Sequence, residues 1–342
     1  MIDKDPEFVG LFETYKDLLF SWLNQRLILI CLTHRIAEIP ESVSGMARYY
    51  AKSALNTGFL IEIDNDWFVA TAAHVLKHVE TLRGRGREIA GTTLFAGFGH
   101  PGRTQSVPVT VHPEKLYLWD DERADVDIAL MPLTSSERIE LVRAGADAVR
   151  PEQYLPPEFE PNMYVLTGFP CNPTDRWAED TMTDSQIVMS SNQRWPLIPI
   201  EPVKHNRTDT LTEYWKDRQF RARRVQLADG EMPDLNGMSG GPIVAVRAHP
   251  PKQNGMETVL NCQISLRAVF QEESAPDNPD KVLVGNFVES LVRLKRHFSP
   301  ALFPPNASAA SPHMPNAPSL VSSLASHSGA ARSHPRFHIP PP

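Results

Sequence analysis

Cysteine is scarce in this chain: three in 342 residues, Cys31, Cys171 and Cys262, all far apart. An odd, sparse set is not a disulfide framework, and no pair has metal-ligand spacing. The fold is therefore expected to stand without bridges, metal or cofactor, and the cysteine usage fits a reducing compartment. A long apolar run is also missing. The stretch Leu27-Ile28-Leu29-Ile30-Cys31-Leu32 is far too short to span a bilayer and reads as a buried strand. Met1 to Asp5 carry acidic side chains where a signal peptide needs positive charge, so a soluble cytoplasmic protein is expected. Positive charge is in deficit: 34 Lys and Arg against 41 Asp and Glu, a formal net charge of −7. That excludes a surface that attracts nucleic acid or anionic lipid as a whole, so neither nucleic acid nor membrane is expected as a partner. The short basic clusters Arg83/Arg85/Arg87 and Arg221/Arg223/Arg224 read as solvated faces.

What is present is ordinary globular material: 41% apolar and 22% charged residues, at a length that suits one large domain or two moderate ones. Residues 1–25 form the first segment. Phe8, Leu11, Phe12, Tyr15, Leu18, Leu19 and Trp22 recur at helical period, predicting an amphipathic helix that docks on the main body. From Asn56 onward the pattern becomes short β-rich runs bounded by turn residues: Gly58–Ile63, Trp67–Thr71, Thr93–Phe98, Val107–Val111, Leu116–Trp119 and Ile128–Leu133. After Pro156, Pro157 and Pro161 a second set follows: Met163–Thr167, Arg223–Leu227, Ile243–Arg247, Val259–Leu266 and Val282–Val284. Many short strands without long helices predict an all-β fold of two barrels, over 26–150 and 151–298. The polar stretch 171–219 reads as an insertion in the second barrel. Phe287 to Arg296 predicts a C-terminal helix, its basic last turn matching the helix dipole. The Pro/Ala/Ser/His-rich tail, 299–342, lacks apolar periodicity and is expected to be disordered.

Three segments carry candidate chemistry: Thr71-Ala72-Ala73-His74, Asp127-Ile128-Ala129-Leu130 and Gly237-Met238-Ser239-Gly240-Gly241-Pro242. A serine hydroxyl is a weak nucleophile until a base lies within hydrogen-bond reach. A neutral imidazole can take its proton near pH 7 and return it to a leaving amine. A carboxylate behind the ring sets its tautomer. Asp127 opens an apolar strand; Asp125, two residues earlier, is its rival. Each segment alone has a bland reading: a structural histidine, a turn aspartate, a glycine loop. Together and in this order they point to nucleophilic hydrolysis.

On these residues the chain resembles the trypsin-like (chymotrypsin-fold) serine peptidases, bacterial and viral members above all, from about Gly58 to Phe298. The resemblance implies two antiparallel six-stranded β-barrels. It also implies a catalytic triad of Ser239 as nucleophile, His74 as base and Asp127 as orienter, with the backbone amides of Gly237 and Ser239 as the oxyanion hole. The implied activity is endopeptidase cleavage of a protein or peptide through an acyl-enzyme. Secreted relatives carry an aspartate before the serine that pairs with a new N-terminus. Met238 stands there instead, so that activation switch is expected to be absent. Thr167-Gly168-Phe169-Pro170 resembles a glycine turn of the second barrel. The strand that pairs with substrate is expected at Ser265-Leu266-Arg267, with Arg267 or Asp234 as a charge that could set specificity.

Two other readings stand beside it. Gly237-x-Ser239-x-Gly241 also matches the nucleophile elbow of α/β-hydrolases, which needs a core strand before the serine and a helix after it. Glu231 to Asn236 is no core strand, and Pro242 with a β-branched run is poor helix material. The second alternative is a binding or scaffold module on the peptidase fold, or a peptidase gated by a regulatory protein partner that orders 171–219.

Overall fold

The computed structural model describes residues 2–3, 6–37, 49–77, 88–97, 107–111, 116–121, 126–154, 160–170, 195–203, 219–226, 235, 237–254, 257–273 and 282–298. The chain opens with β1 (Ile2–Asp3) and helix α1 (Pro6–Asn24). Seven strands follow: β2 (Leu27–Ala37), β3 (Tyr49–Ile63), β4 (Asp66–Thr71), β5 (Glu88–Ala96), β6 (Val107–Val111), β7 (Tyr117–Asp121) and β8 (Val126–Pro132). A helical turn α2 (73–77) leaves β4, and α3 (Ser135–Arg143) follows β8. The second half contains β9 (Met163–Thr167), β10 (Leu197–Pro202), β11 (Gln219–Gln226), β12 (Pro242–Ala248), the hairpin β13 (Lys252–Asn254) and β14 (Glu257–Val259), β15 (Cys262–Glu273), β16 (Leu283–Phe287) and helix α4 (Val288–Phe298).

The second half is a closed barrel. Its strands run β11-β10-β9-β12-β15-β16, and β16 pairs back onto β11 with Phe220 opposite Gly285, so six antiparallel strands leave no edge between them. β1 adds to β11 in parallel, Ile2 opposite Val225. The first half is a seven-stranded antiparallel sheet in the order β6-β5-β2-β3-β4-β8-β7. Among the described residues no pairing joins its edge strands β6 and β7. The expected pair of six-stranded barrels is thus met by one closed barrel and one seven-stranded sheet.

Side-chain alternation explains why these strands read as continuous apolar runs. Leu27, Leu29 and Cys31 of β2 enter one core, and Ile28, Ile30 and Leu32 enter another. Both faces of the strand are buried, so period 2 is hidden under uniform hydrophobicity. The first core lies between the two halves. It joins Phe59, Phe68 and Ile128 of the sheet to Val165, Val244 and Leu266 of the barrel. A third core fills the barrel itself, with Leu166, Ile200, Phe220, Met238, Ile243 and Phe270.

Helix α1 packs on the first core through Phe12, Tyr15, Leu19 and Leu23, all buried. Burial of each such side chain is worth about 1.5–3 kcal/mol. The Tyr15 hydroxyl is satisfied as well: it donates to His249 O at 2.7 Å and accepts the Asn261 N–H at 3.0 Å. The helix therefore docks as expected. Helix α3 was not legible as such; Thr134 caps it through a capping box with Glu137.

The expected insertion 171–219 contains a barrel strand, β10, which pairs with β9 and β11. Residues 171–194 and 204–218 lie outside the described residues, as do Arg83/Arg85/Arg87, Asp125, Cys171, Asp234 and the tail 299–342. Among the described residues no helix is long and apolar enough to cross a membrane.

Candidate active site

His74 and Asp127 meet at one end of the N-terminal sheet. β4 ends at Thr71, and α2 then turns the chain so that His74 is its second residue. Ala72 and Ala73 are fully buried, and their small size lets this turn sit close to the core while the His74 ring stays half exposed. Asp127 is the second residue of β8, opposite Asp120 of β7, and only 5% exposed. Both of its oxygens are used by His74. Oδ2 lies 2.6 Å from the ring Nδ1, and Oδ1 accepts the His74 backbone N–H at 2.8 Å. An ionised carboxylate only accepts, so the neutral ring carries its proton on Nδ1 and leaves Nε2 free to accept one. The imidazole pKa is raised above its ordinary value. The hydrogen bond to Asp127 is the main cause; partial burial opposes it, and the charges of Asp127, Glu272 and Asp120 reinforce it.

A residue of the barrel holds Asp127 from behind. Asn286 of β16 is fully buried, and its Oδ1 accepts the Asp127 backbone N–H at 3.0 Å. Its role was not visible in sequence, because a lone asparagine carries no motif.

Ser239 sits in the turn before β12. Gly237 and Gly240 have φ of 83° and 88°, the left-handed region that glycine enters without penalty. Met238 between them is fully buried in the barrel core and anchors the turn. Its N–H donates to Leu235 O at 3.0 Å, and its carbonyl accepts from Gly241 at 2.8 Å. Gly240 N–H donates to Phe270 O at 2.7 Å, and Phe270 N–H to Gly241 O at 2.8 Å. Among the described residues, the amides of Gly237 and Ser239 donate to no protein acceptor. A strand, not a helix, follows Ser239, and this removes the nucleophile-elbow alternative.

The two halves touch through this turn. A Cβ on Gly240 would lie 2.1 Å from Thr71 Oγ1, 2.4 Å from Thr57 O and 3.0 Å from Ala72 N. Ser239 is thereby held against the end of the strand that leads to His74. Its own hydroxyl donates to Gln271 O at 2.8 Å. Glu272, next to Gln271, is exposed and close enough to act on the His74 ring.

Gln271, which accepts from Ser239, lies beyond Ser265-Leu266-Arg267, where the substrate-pairing strand was expected. Ser265 and Leu266 pair with Ala245 and Val244, well along β12 from Ser239. Arg267 is the residue left over where the β12 register shifts; burial raises the Tyr164 pKa on β9, and the Arg267 charge opposes that rise. The segment beside Ser239 is Phe270–Glu273, five residues further on. Gln271 is itself skipped in the pairing with β16, where Phe270 faces Gly285 and Glu272 faces Val284. A bulge of this kind re-aims the backbone, and here the Gln271 carbonyl is turned to Ser239. A twelve-residue strand with two register shifts cannot be aligned from apolar pattern alone.

No family model matches the chain, and no curated protein does. Among solved structures, the chain is similar to the scabies mite inactivated protease paralogue S-I1, with a TM-score of 0.40 and 14% identity over 82% of this chain and 96% of that one. A likeness at that level assigns no activity.

Proposed function

We propose that the protein is a chymotrypsin-like serine endopeptidase that cleaves a protein or peptide substrate through an acyl-enzyme. The observation that carries this is the double engagement of Asp127 by His74, ring and backbone, beside the place where the Ser239 turn meets the end of β4. In this reading residues 26–150 supply the base and its orienter, and residues 151–298 supply the nucleophile. Ser239 Oγ attacks the scissile carbonyl as its proton passes to His74 Nε2. The tetrahedral oxyanion is received by the amides of Gly237 and Ser239, each such donor being worth about 3–4 kcal/mol. His74 then protonates the leaving amine, and water repeats the sequence on the acyl-enzyme. Met238, buried in the barrel core, supports a turn assembled without N-terminal processing. A cytoplasmic setting belongs to the same proposal.

The test is covalent labelling by a fluorophosphonate together with cleavage of a peptide library. Wild-type protein should label and cleave; Ser239→Ala should do neither. Folded wild-type protein that takes no label sinks the proposal.

One observation favours a second state of this site. The Ser239 hydroxyl is engaged by Gln271 O rather than by His74. That suits a resting peptidase whose serine is released when substrate or a gating partner binds. It would show as low basal turnover that rises on adding that partner.

A further inference from the structure

We infer that Thr57 is the positioning residue that locks the turn bearing Ser239 onto the strand bearing His74, an inference that rests on the peptidase reading above. Thr57 lies in β3 and is fully buried. Its side chain and backbone make three hydrogen bonds to three different segments. Its hydroxyl donates to Gly237 O at 2.9 Å and accepts the Phe169 N–H at 2.8 Å. Its carbonyl accepts the Thr71 hydroxyl at 2.7 Å.

The directions of these bonds are fixed. A hydroxyl has one proton, and here it goes to the Gly237 carbonyl, because the amide of Phe169 can only donate. A peptide is planar, so holding the Gly237 carbonyl holds the Gly237–Met238 unit and with it the Met238 N–H, which points at Leu235 O. That unit lies between the two proposed oxyanion donors. Glycine at positive φ has little conformational preference of its own, so an external anchor is needed to keep one orientation. Thr57 supplies it.

The same residue sets the spacing of nucleophile and base. Thr71 is three residues before His74, and its side chain is tied to Thr57 O. Gly240, one residue after Ser239, has room for no side chain against Thr71 Oγ1 and Thr57 O. Gly168 closes the remaining side: a Cβ there would lie 3.1 Å from Met238 Cβ and 3.2 Å from Thr57 Oγ1. Phe169, whose N–H is held by Thr57, is seated edge-on against Trp195 with ring centroids 4.1 Å apart. The path Gly237–Thr57–Thr71–His74 is short, runs through two buried threonines and is held by directional bonds.

Thr57→Val keeps the shape and removes the hydroxyl, and with it the bond to the Gly237 carbonyl and the bond from the Phe169 N–H. Thr57→Ser keeps the hydroxyl. With a cleaved peptide as substrate, Thr57→Val is expected to lose about 10²-fold in kcat, the low end of what an oxyanion donor is worth, with KM within about threefold. Affinity for a peptide aldehyde should fall in parallel, and Thr57→Ser should restore both. Should Thr57→Val fail to fold, Thr57→Cys replaces it and should fall between the two. A folded Thr57→Val enzyme with kcat within threefold of wild type overturns the inference, as does a serine variant that loses as much as the valine one. Hydrogen exchange of the Met238 amide separates this from the function itself. It should quicken at least about tenfold in Thr57→Val and not in Thr57→Ser even if wild-type protein neither labels nor cleaves, since local opening governs exchange. Unchanged exchange there overturns the lock independently of any activity.

Discussion

Replacing Asp127 by asparagine tests the site with the smallest change in shape. In the wild-type protein Oδ1 accepts the His74 backbone N–H at 2.8 Å and Oδ2 faces Nδ1 at 2.6 Å, so both neighbours are donors. An amide can accept on one side only. If its oxygen stays with the backbone N–H, its NH₂ faces Nδ1, which must then be unprotonated; the ring proton moves to Nε2 and the base is lost. If the amide is flipped, two donors face each other at the backbone, at a cost of about 1–3 kcal/mol for a buried N–H left unmatched. The first orientation therefore wins, and the His74 tautomer inverts. The asparagine also cannot stabilise the imidazolium. Together these should lower kcat by about 10³–10⁴-fold, or about 4–5.5 kcal/mol in the barrier. The assay is kcat and KM on a cleaved peptide, with the rate of fluorophosphonate labelling as a second measure and thermal unfolding as a control for folding. A folded variant that loses less than tenfold would refute the tautomer argument.

Three further outcomes follow from the geometry of the site. Because the His74 pKa is raised, the base is neutral only above that raised value, and kcat/KM should fall as pH drops through it; Glu272→Gln removes one of the charges responsible and should move that acid limb to lower pH, less so in high salt. The linkage has the opposite sense for stability: the contribution of the charged pair is full below the unfolded imidazole pKa and is lost as pH rises through the folded one, which a pH series of urea midpoints on wild type and Asp127→Asn would read. Gly240→Ala places a methyl 2.1 Å from Thr71 Oγ1 and 2.4 Å from a backbone oxygen, at φ 88°. Left-handed strain of about 1–2 kcal/mol and overpacking of about 1–3 kcal/mol should cost roughly 3 kcal/mol in urea unfolding, with labelling of Ser239 falling as well; a loss under 1 kcal/mol would show that the turn is not pressed against β4 as described.

The legible parts were those with local causes. The α1 periodicity, the strands at Val107–Val111 and Met163–Thr167, and the basic end of α4 all came through, because short-range pattern decides them. The strand β10 was hidden inside a polar stretch, since Leu197-Ile198-Pro199-Ile200 contains a proline that argues against a ladder. Helix α3 was missed because its apolar face is small, Leu141 alone being buried. That Gln271 rather than Ser265-Leu266-Arg267 lies beside Ser239 was not legible, because two bulges shift the register of β15, and bulges leave no reliable trace in hydrophobicity.

Sequence by itself determined the identities and the order of the chemical groups: His74 after two alanines, Asp127 at the head of an apolar strand, Ser239 among glycines and beside Met238. These are properties of residue type and immediate neighbours. Tertiary structure alone decided which of them meet and what holds them. Both oxygens of Asp127 are turned on His74, Asn286 reaches across from the barrel, Gln271 takes the Ser239 hydroxyl, and Thr57 joins three segments. The contacts of Asn286, Gln271 and Thr57 link residues that lie from 14 to 180 positions apart in the chain, and each engages a backbone group. Backbone groups are the same at every residue, so their partners are set by where strands run and where they bulge, which one-dimensional pattern does not record.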